Sequence, residues 1–433
     1  MTPTRPDLSL PRVARRSLLT GGLALASAPL LGGLAGCGRL GDPEQARSSL
    51  DRRPATAPGT APEAVADLSA RMLAALAEPG SNLVASPFSV LVALAMTRNG
   101  AAGSTATEMD EVLGIDDPAA FHQHLNTVCQ LMESRSRTLR DDREVVVEIA
   151  NSLWGQRDLD VADPFLDALA QYYGAGMSLV DFRSDPEAAI EQINDWTRER
   201  THDLIPQVVG PNSVTPRTRL VLVNALYLAA PWQDPFQEHV TRPRPFTTGD
   251  DERVEVPTMA GSTEQWYADD HCEATLVPYD GGDLAMALAR PRKDVATTLE
   301  AWASGGLSRM LGGWRPTPVD LRVPKWQHDW DADLNDVLAR LGMPTAFTDD
   351  ADFSAITTEE QLQIGTVAHR ATITVDEEGT EAAAATAVSV GTTSAPGGRD
   401  PEQLHLDRPY LYVIHDRETA TPLFVGVVAD PRG

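Results

Sequence analysis

The chain has 433 residues, 42% of them hydrophobic, enough to build a large core. Its formal charge of −26 excludes nucleic acid and anionic lipid surfaces as electrostatic partners. Only Lys293 and Lys325 are lysines, so nearly all the positive charge is arginine.

In chain order, residues 1–36 read first, as a targeting segment. Arg15 and Arg16 open it, an Ala/Gly/Leu run follows, and Leu34-Ala35-Gly36-Cys37 closes it. Paired arginines ahead of an apolar run predict export by the twin-arginine route. The closing residues are similar to a lipobox, in which Cys37 would be lipidated and become the mature N-terminus. Cleavage after Ala28 and an uncleaved anchor are the competing readings. Loss of residues 1–36 removes four arginines and one aspartate, a net +3, so −26 becomes −29. Residues 37–62 mix Gly, Pro, Ser and Arg without periodicity and predict a disordered tether. The expected location is extracellular, or the outer face of the cytoplasmic membrane through a lipid at Cys37, which would be the chain's one membrane contact.

A folded domain is expected over 63–433. Val65, Leu68, Met72 and Leu76 share one helical face before Pro79-Gly80. Ser86-Pro87 opens a second helix. Cys129 sits among Leu125, Val128, Leu131 and Met132 and reads as a core thiol, with no disulfide to Cys272 expected. His122 and His124 read as a surface pair. Residues 145–153 alternate as a strand, Asp185-Pro186 caps a helix, and 220–227 form an apolar central strand. Strands follow at 254–259, 274–278, 284–289 and 319–323, with Asp280-Gly281-Gly282 as a hairpin turn. Residues 334–341 form a helix ended by Gly342, and 411–414 with 423–428 close the chain as a hairpin. Helices dominate the first half and strands the second, so the fold class is α+β with large, mainly antiparallel sheets.

No Gly-x-Ser-x-Gly elbow, His-Glu-x-x-His helix or phosphate loop occurs, and the nine histidines are scattered. Neither an enzyme nor a metal or cofactor is predicted. The most informative stretch is Glu377, Glu378, Gly379, Thr380, Glu381, Ala382, Ala383, Ala384, Ala385 and Thr386. A strand-like approach (369–375) runs into small residues and then into Gly391 to Gly398. A buried helix would need a bulky apolar stripe, which these alanines lack. Small side chains on an extended segment can be exposed in one state and buried in another at little steric cost.

These segments together resemble a serpin across essentially all of 63–432. The resemblance rests on Asn82 to Ser89, Gly100 to Met109, Ile149 to Trp154, Leu220 to Tyr227 with Trp232, the stretch 369–386, Asp407 to Tyr410 and Leu423 to Gly426. It implies three β-sheets, eight to nine helices and an exposed reactive loop. A serine protease would cut the loop, form an acyl-enzyme, and be carried off as the freed loop inserts into the main sheet. That loop insertion is a known case of strand addition driven by stored strain. It also implies a sheet-opening cluster of Ser86, Ser89, Asn151, Asn224, Trp232 and His369, a monomer, and a covalent complex with the protease as partner.

The residues permit the mechanism. With Thr380 leading, Ala382, Ala384, Thr386 and Val388 would face inward and Glu381 and Ser389 outward. Gly379 would be the flexible pivot. No proline interrupts 380–393. Those residues span ~46 Å as a strand at ~3.3 Å each, against a diameter of roughly 54 Å for a compact chain of this length. Family spacing from Glu377 puts the scissile bond at Thr393-Ser394, and Arg399 is an alternative bait. Small residues there suit elastase-like or subtilisin-like proteases. The competing function is a non-inhibitory serpin acting as a binding or folding-helper module.

Overall fold

The computed structural model describes residues 43–139, 143–380 and 400–433. One residue after its start, composition proves misleading. The expected tether contains a strand, β1 (Glu44–Ala46), and residues 47–60 lie hydrogen-bonded along the body. The cause is lateral pairing: Arg and Thr side chains and the backbone find partners on neighbouring helices that no local pattern announces.

The helical half follows the sequence closely. Helix α1 (Ala61–Leu76) buries Val65, Leu68 and Met72. After β2 (Leu83–Ala85), α2 (Pro87–Arg98) starts at Ser86, whose hydroxyl accepts the Ser89 N–H. That helix is buried from Pro87 through Thr97, so it threads the core. Gly114, at a left-handed φ of 69°, ends α3 (Gly103–Leu113). Asp117 caps α4 (Pro118–Glu133) by accepting two N–H groups. Cys129 is buried in α4 as expected, and neither it nor Cys272 is in a disulfide. His122 is a correction: it is buried, with Nδ1 against the Tyr173 hydroxyl at 2.5 Å, and burial lowers its pKa to about 4. It lies on the inward face of α4, which pairing it with His124 concealed.

Next come β3 (Arg137–Thr138), β4 (Glu144–Gln156), α5 (Asp163–Tyr173), β5 (Met177–Val180) and α6 (Pro186–Arg200). The strand-rich half comprises β6 (Leu220–Pro231), β7 (Arg242–Thr247), β8 (Arg253–Ala268), β9 (Cys272–Pro278) and β10 (Leu284–Pro291). The β9–β10 turn carries Gly281 and Gly282 at φ of 84° and 78°, the left-handed pair that such a hairpin needs. Helices α7 (Val295–Ala301) and α8 (Leu307–Gly312) precede β11 (Arg315–Pro324), β12 (Trp326–Asp333) and α9 (Asn335–Leu341). The chain ends with β13 (Thr366–Val375), β14 (Gly379–Thr380), β15 (Glu402–His405), β16 (Tyr410–Asp416) and β17 (Pro422–Val428).

Among the described residues the strands form two sheets. The first runs β1-β5-β4-β6-β14-β13-β12, with β3 beside β4. The second runs β15-β11-β8-β9-β10-β16-β17-β2, with β7 beside β8. The expected second and third sheets are joined because β8 is long: its first part pairs with β7 and its last with β9, while β11 spans both. Helix α2 packs between the two sheets, against β4, β6 and β17.

One pairing decides the rest. β6 and β13 run parallel and share rungs only from Thr366↔Val221 to His369↔Asn224. Above them β14 enters antiparallel to both strands, with Thr380 opposite Ala230 on one side and Val375 on the other. Between β14 and the His369 rung, no described residue pairs β6 with β13.

Candidate functional site

The site is the top of this sheet, where β13 reverses into β14. The Asp376 carboxylate accepts the backbone N–H groups of Glu378 and Gly379 at 2.9 and 3.3 Å, and the Asp376 N–H donates to the Gly379 carbonyl at 3.1 Å. This tight turn directs Gly379 and Thr380 down between β6 and β13. Gly379 was expected to supply dihedral freedom, but its backbone φ is not positive. It is required for space instead: a Cβ there would sit 2.3 Å from the Ala230 carbonyl oxygen.

Trp232 holds the turn. Its backbone N–H donates to the Glu378 carbonyl at 2.8 Å and its indole N–H to the Asp376 carbonyl at 2.9 Å. The ring stacks on Tyr279 with centroids 4.5 Å apart. The Tyr279 hydroxyl reaches the Thr380 hydroxyl at 2.6 Å, and Thr380 is 2% exposed. Burial pushes the Tyr279 pKa far up, so the phenol keeps its proton.

Glu377 is buried beneath the turn and meets Lys325 Nζ at 2.6 Å and the Thr241 hydroxyl at 2.7 Å. Burial works to raise its pKa, but Lys325 and Thr241 outweigh burial and hold it below the usual carboxylate range. Glu378 goes the other way, raised by burial and then by the neighbouring charges of Asp376 and Glu238. Lys325, Thr241 and Tyr279 were not among the sequence-predicted site residues. Lys325 alone carried a signal, as one of two lysines in an arginine-rich chain.

Lower down, four residues of the predicted cluster are joined. His369 Nε2 accepts the Ser86 N–H at 3.1 Å, so Nδ1 carries the proton and donates to the Asn224 side-chain oxygen. The Ser89 hydroxyl donates to the Ser86 carbonyl at 3.0 Å. Burial lowers His369 to a pKa of about 4, so it is neutral near pH 7. Asn151 stands opposite Asn224 in register, but its side-chain amide is buried without a hydrogen-bond partner among the described residues. That departs from the rule that buried polar groups are paired. Glu381, Ala382, Ala383, Ala384, Ala385, Thr386, Thr393, Ser394, Arg399 and Cys37 lie outside the described residues.

This arrangement can accept a strand. The β14 registers continue consistently: residue 386 would fall opposite Asn224 on β6 and His369 on β13. Residues 381–385 would therefore occupy the unpaired gap, and residue 386 would be the first to break an existing rung.

Comparison with known proteins agrees with this geometry. The family model for serpins, described as serine protease inhibitors, matches residues 63–431. A serpin-like protein of Thermococcus kodakarensis is 33% identical, covering 82% of each chain. The leukocyte elastase inhibitor of Bos taurus is 32% identical over 82% of this chain and 94% of its own. Among solved structures, the thermophilic serpin tengpin in its native state has a TM-score of 0.80 at 25% identity, covering 89% of this chain and all of that one. Thyroxine-binding globulin in complex with thyroxine has a TM-score of 0.73 at 25% identity, covering 86% of this chain and 99% of its own. The chain belongs to the serpin family.

Proposed function

We propose that the chain is a suicide-substrate inhibitor of serine proteases, trapping the acyl-enzyme by inserting its cleaved loop between β6 and β13. The observation that carries this reading is β14 itself, two residues already laid antiparallel into that gap. The alanines that follow have the volume to continue the strand, and insertion buries every second one. A cleaved loop gains backbone pairing along both strands, so the intact state is held by a barrier rather than by being lowest in free energy.

The bait is read as Thr393-Ser394, which suits elastase-like or subtilisin-like enzymes with shallow primary pockets. Cleavage at Arg399 would need a longer insertion and is read as substrate turnover by trypsin-like enzymes. Export, lipidation at Cys37 and a monomeric state complete the proposal, and they rest on the sequence.

A second reading, a non-inhibitory binding module, has one observation on its side. A cavity of about 690 Å³ opens between the end of α1, α7 and β17, lined by Ala77, Lys293, Val295, Leu299, Arg408 and Val427. The hinge favours the inhibitor, because a carrier needs no small-residue run after a buried Thr380.

Mixing the protein with subtilisin, elastase and trypsin separates the two. The inhibitor gives a denaturant-resistant covalent complex and a released forty-residue peptide, 394–433. Cleavage with no complex and no gain in thermal stability would refute the inhibitor.

A further inference from the structure

The two β14 registers, followed down the sheet, meet at one place. Thr380 lies opposite Ala230 of β6 and Val375 of β13, antiparallel to each. Ten residues on, residue 390 falls between Leu220, the first residue of β6, and Gly365, just before β13. Those two residues close the lower end of the sheet, the Gly365 N–H donating to the Leu220 carbonyl at 2.9 Å. Residues 391–393 would run past this rung by roughly 10 Å, at ~3.3 Å each. Residue 393 comes level with Arg217 on one side and Leu362 on the other.

A cavity of about 450 Å³ opens there, with Arg217, Thr218, Arg219, Asp349, Leu362 and Gly365 in its wall. Hydrogen bonds fix that wall. The Thr218 hydroxyl accepts the Thr215 N–H at 3.0 Å, and the Thr218 N–H donates to the Thr215 carbonyl at 2.9 Å. The Thr366 hydroxyl donates to the Ser213 carbonyl at 3.1 Å. The two arginines differ in commitment. Arg219 Nε meets Glu360 at 2.8 Å, and its Nη1 donates to the Pro216 and Thr218 carbonyls. Arg217 is exposed, and its backbone N–H donates to the Thr215 hydroxyl, but among the described residues its guanidinium has no hydrogen bond or ion pair. Asp349 is the opposing charge in the wall, and no ion pair joins it to Arg217 among the described residues.

We propose that this cavity receives the cut end of the inserted loop, with Arg217 pairing the carboxylate that cleavage creates on Thr393. This rests on the insertion mechanism proposed above. Hydrolysis of the Thr393-Ser394 bond consumes one water and leaves a carboxylate on Thr393 and an amine on Ser394. A guanidinium matches that carboxylate in charge and in its two-oxygen geometry. The occupant is a segment of this chain, residues 381–393, because β14 ends at Thr380 and a strand of that length reaches the cavity. A loop cut at Arg399 would carry its carboxylate about 20 Å further, at ~3.3 Å per residue. The cavity therefore measures the loop, favouring a cut at one distance from Thr380.

The test uses the full uncleaved chain and N-acetylated synthetic peptides that add as the loop would. They begin at residue 381 and end at 391, 392, 393, 394 or 395, each as a C-terminal acid and as an amide. Each is annealed to the protein, and both its release rate and the gain in thermal stability are followed. For the peptide ending at 393, the acid is expected to leave roughly 5-fold more slowly than the amide, the size of a partly exposed ion pair. The difference shrinks at shorter and longer ends. Arg217→Ala abolishes it and leaves amide release as in wild type, Arg217→Lys keeps part of it, and Asp349→Asn enlarges it. If no peptide of any length raises thermal stability, the insertion reading itself fails. If peptides insert but acid and amide leave at the same rate, or the preference survives Arg217→Ala or peaks at another length, the receiving site is overturned.

Discussion

His369 offers the most exact test of the sheet-opening cluster, through pH. In the native state burial holds its pKa at about 4, against about 6.5 when unfolded. The folded value is the lower one, so below pH 6.5 the unfolded chain binds a proton that the native chain refuses. Stability from the neutral ring is therefore fully present above the unfolded pKa and is lost as pH falls towards 4. The total is about 3 kcal/mol, of which about 2 kcal/mol disappears between pH 7 and pH 5. Protonation also ends the acceptor role of Nε2 towards the Ser86 N–H, breaking the cluster where the sheet must part. The perturbation is His369→Gln, and the assay is urea unfolding at both pH values. Tryptophan fluorescence follows the unfolding, and among the tryptophans Trp330 lies with its ring 6.0 Å from His369. His122 and His415 are lowered to about 4 as well and contribute to both proteins equally. The loss between pH 7 and 5 should be smaller in the variant by about 2 kcal/mol. Equal pH sensitivity in the two proteins would refute the neutral, buried His369.

Three further outcomes are expected. Lys325→Ala leaves the Glu377 carboxylate with Thr241 alone; because Lys325 is 39% exposed, the cost is discounted to about 1–2 kcal/mol, read as a lower unfolding temperature at pH 7. The depressed Glu377 pKa means that this contribution is present at neutral pH and fades as pH drops through the folded value, so wild type and variant should converge in acid. Gly379→Ala forces β14 away from the Ala230 carbonyl and should expose the turn to a glutamate-specific protease after Glu377 or Glu378; an unchanged cleavage rate would show that the turn is not held by that contact. Thr380→Arg puts a charged side chain where 2% of the present one is exposed, and should turn the inhibitor into a substrate, with product peptide but no covalent complex. Unchanged inhibition stoichiometry would remove the ground for insertion led by Thr380.

The candidate site was legible where local chemistry constrained it. Ser86 and Asp185 announced their helices as caps, and the structure shows both accepting the N–H three residues on. Gly281 and Gly282 marked the hairpin because two successive left-handed residues are needed there. The hinge was visible because a run of alanines after a strand fits neither a core helix nor an ordinary strand. What stayed hidden lay at long sequence separation. Lys325 and Thr241 reach Glu377 from β12's entrance and from the residue before β7, and no spacing rule links them. Tyr279 read as part of a hairpin, and only the stacking of Trp232 places its hydroxyl over Thr380.

By itself, then, the sequence determined which segments could be helix or strand, and that 380–386 could live both outside and inside a sheet. Side-chain volume and periodicity are local properties, so they can be read from neighbours in the chain. Tertiary structure alone decided where the gap lies, which rung closes it, and that residues 43–60 lie hydrogen-bonded along the body. Those facts depend on backbone registers between strands more than a hundred residues apart, such as His369 with Asn224 and Ala46 with Met177. Register is set by the packing of whole sheets, and no single segment encodes it.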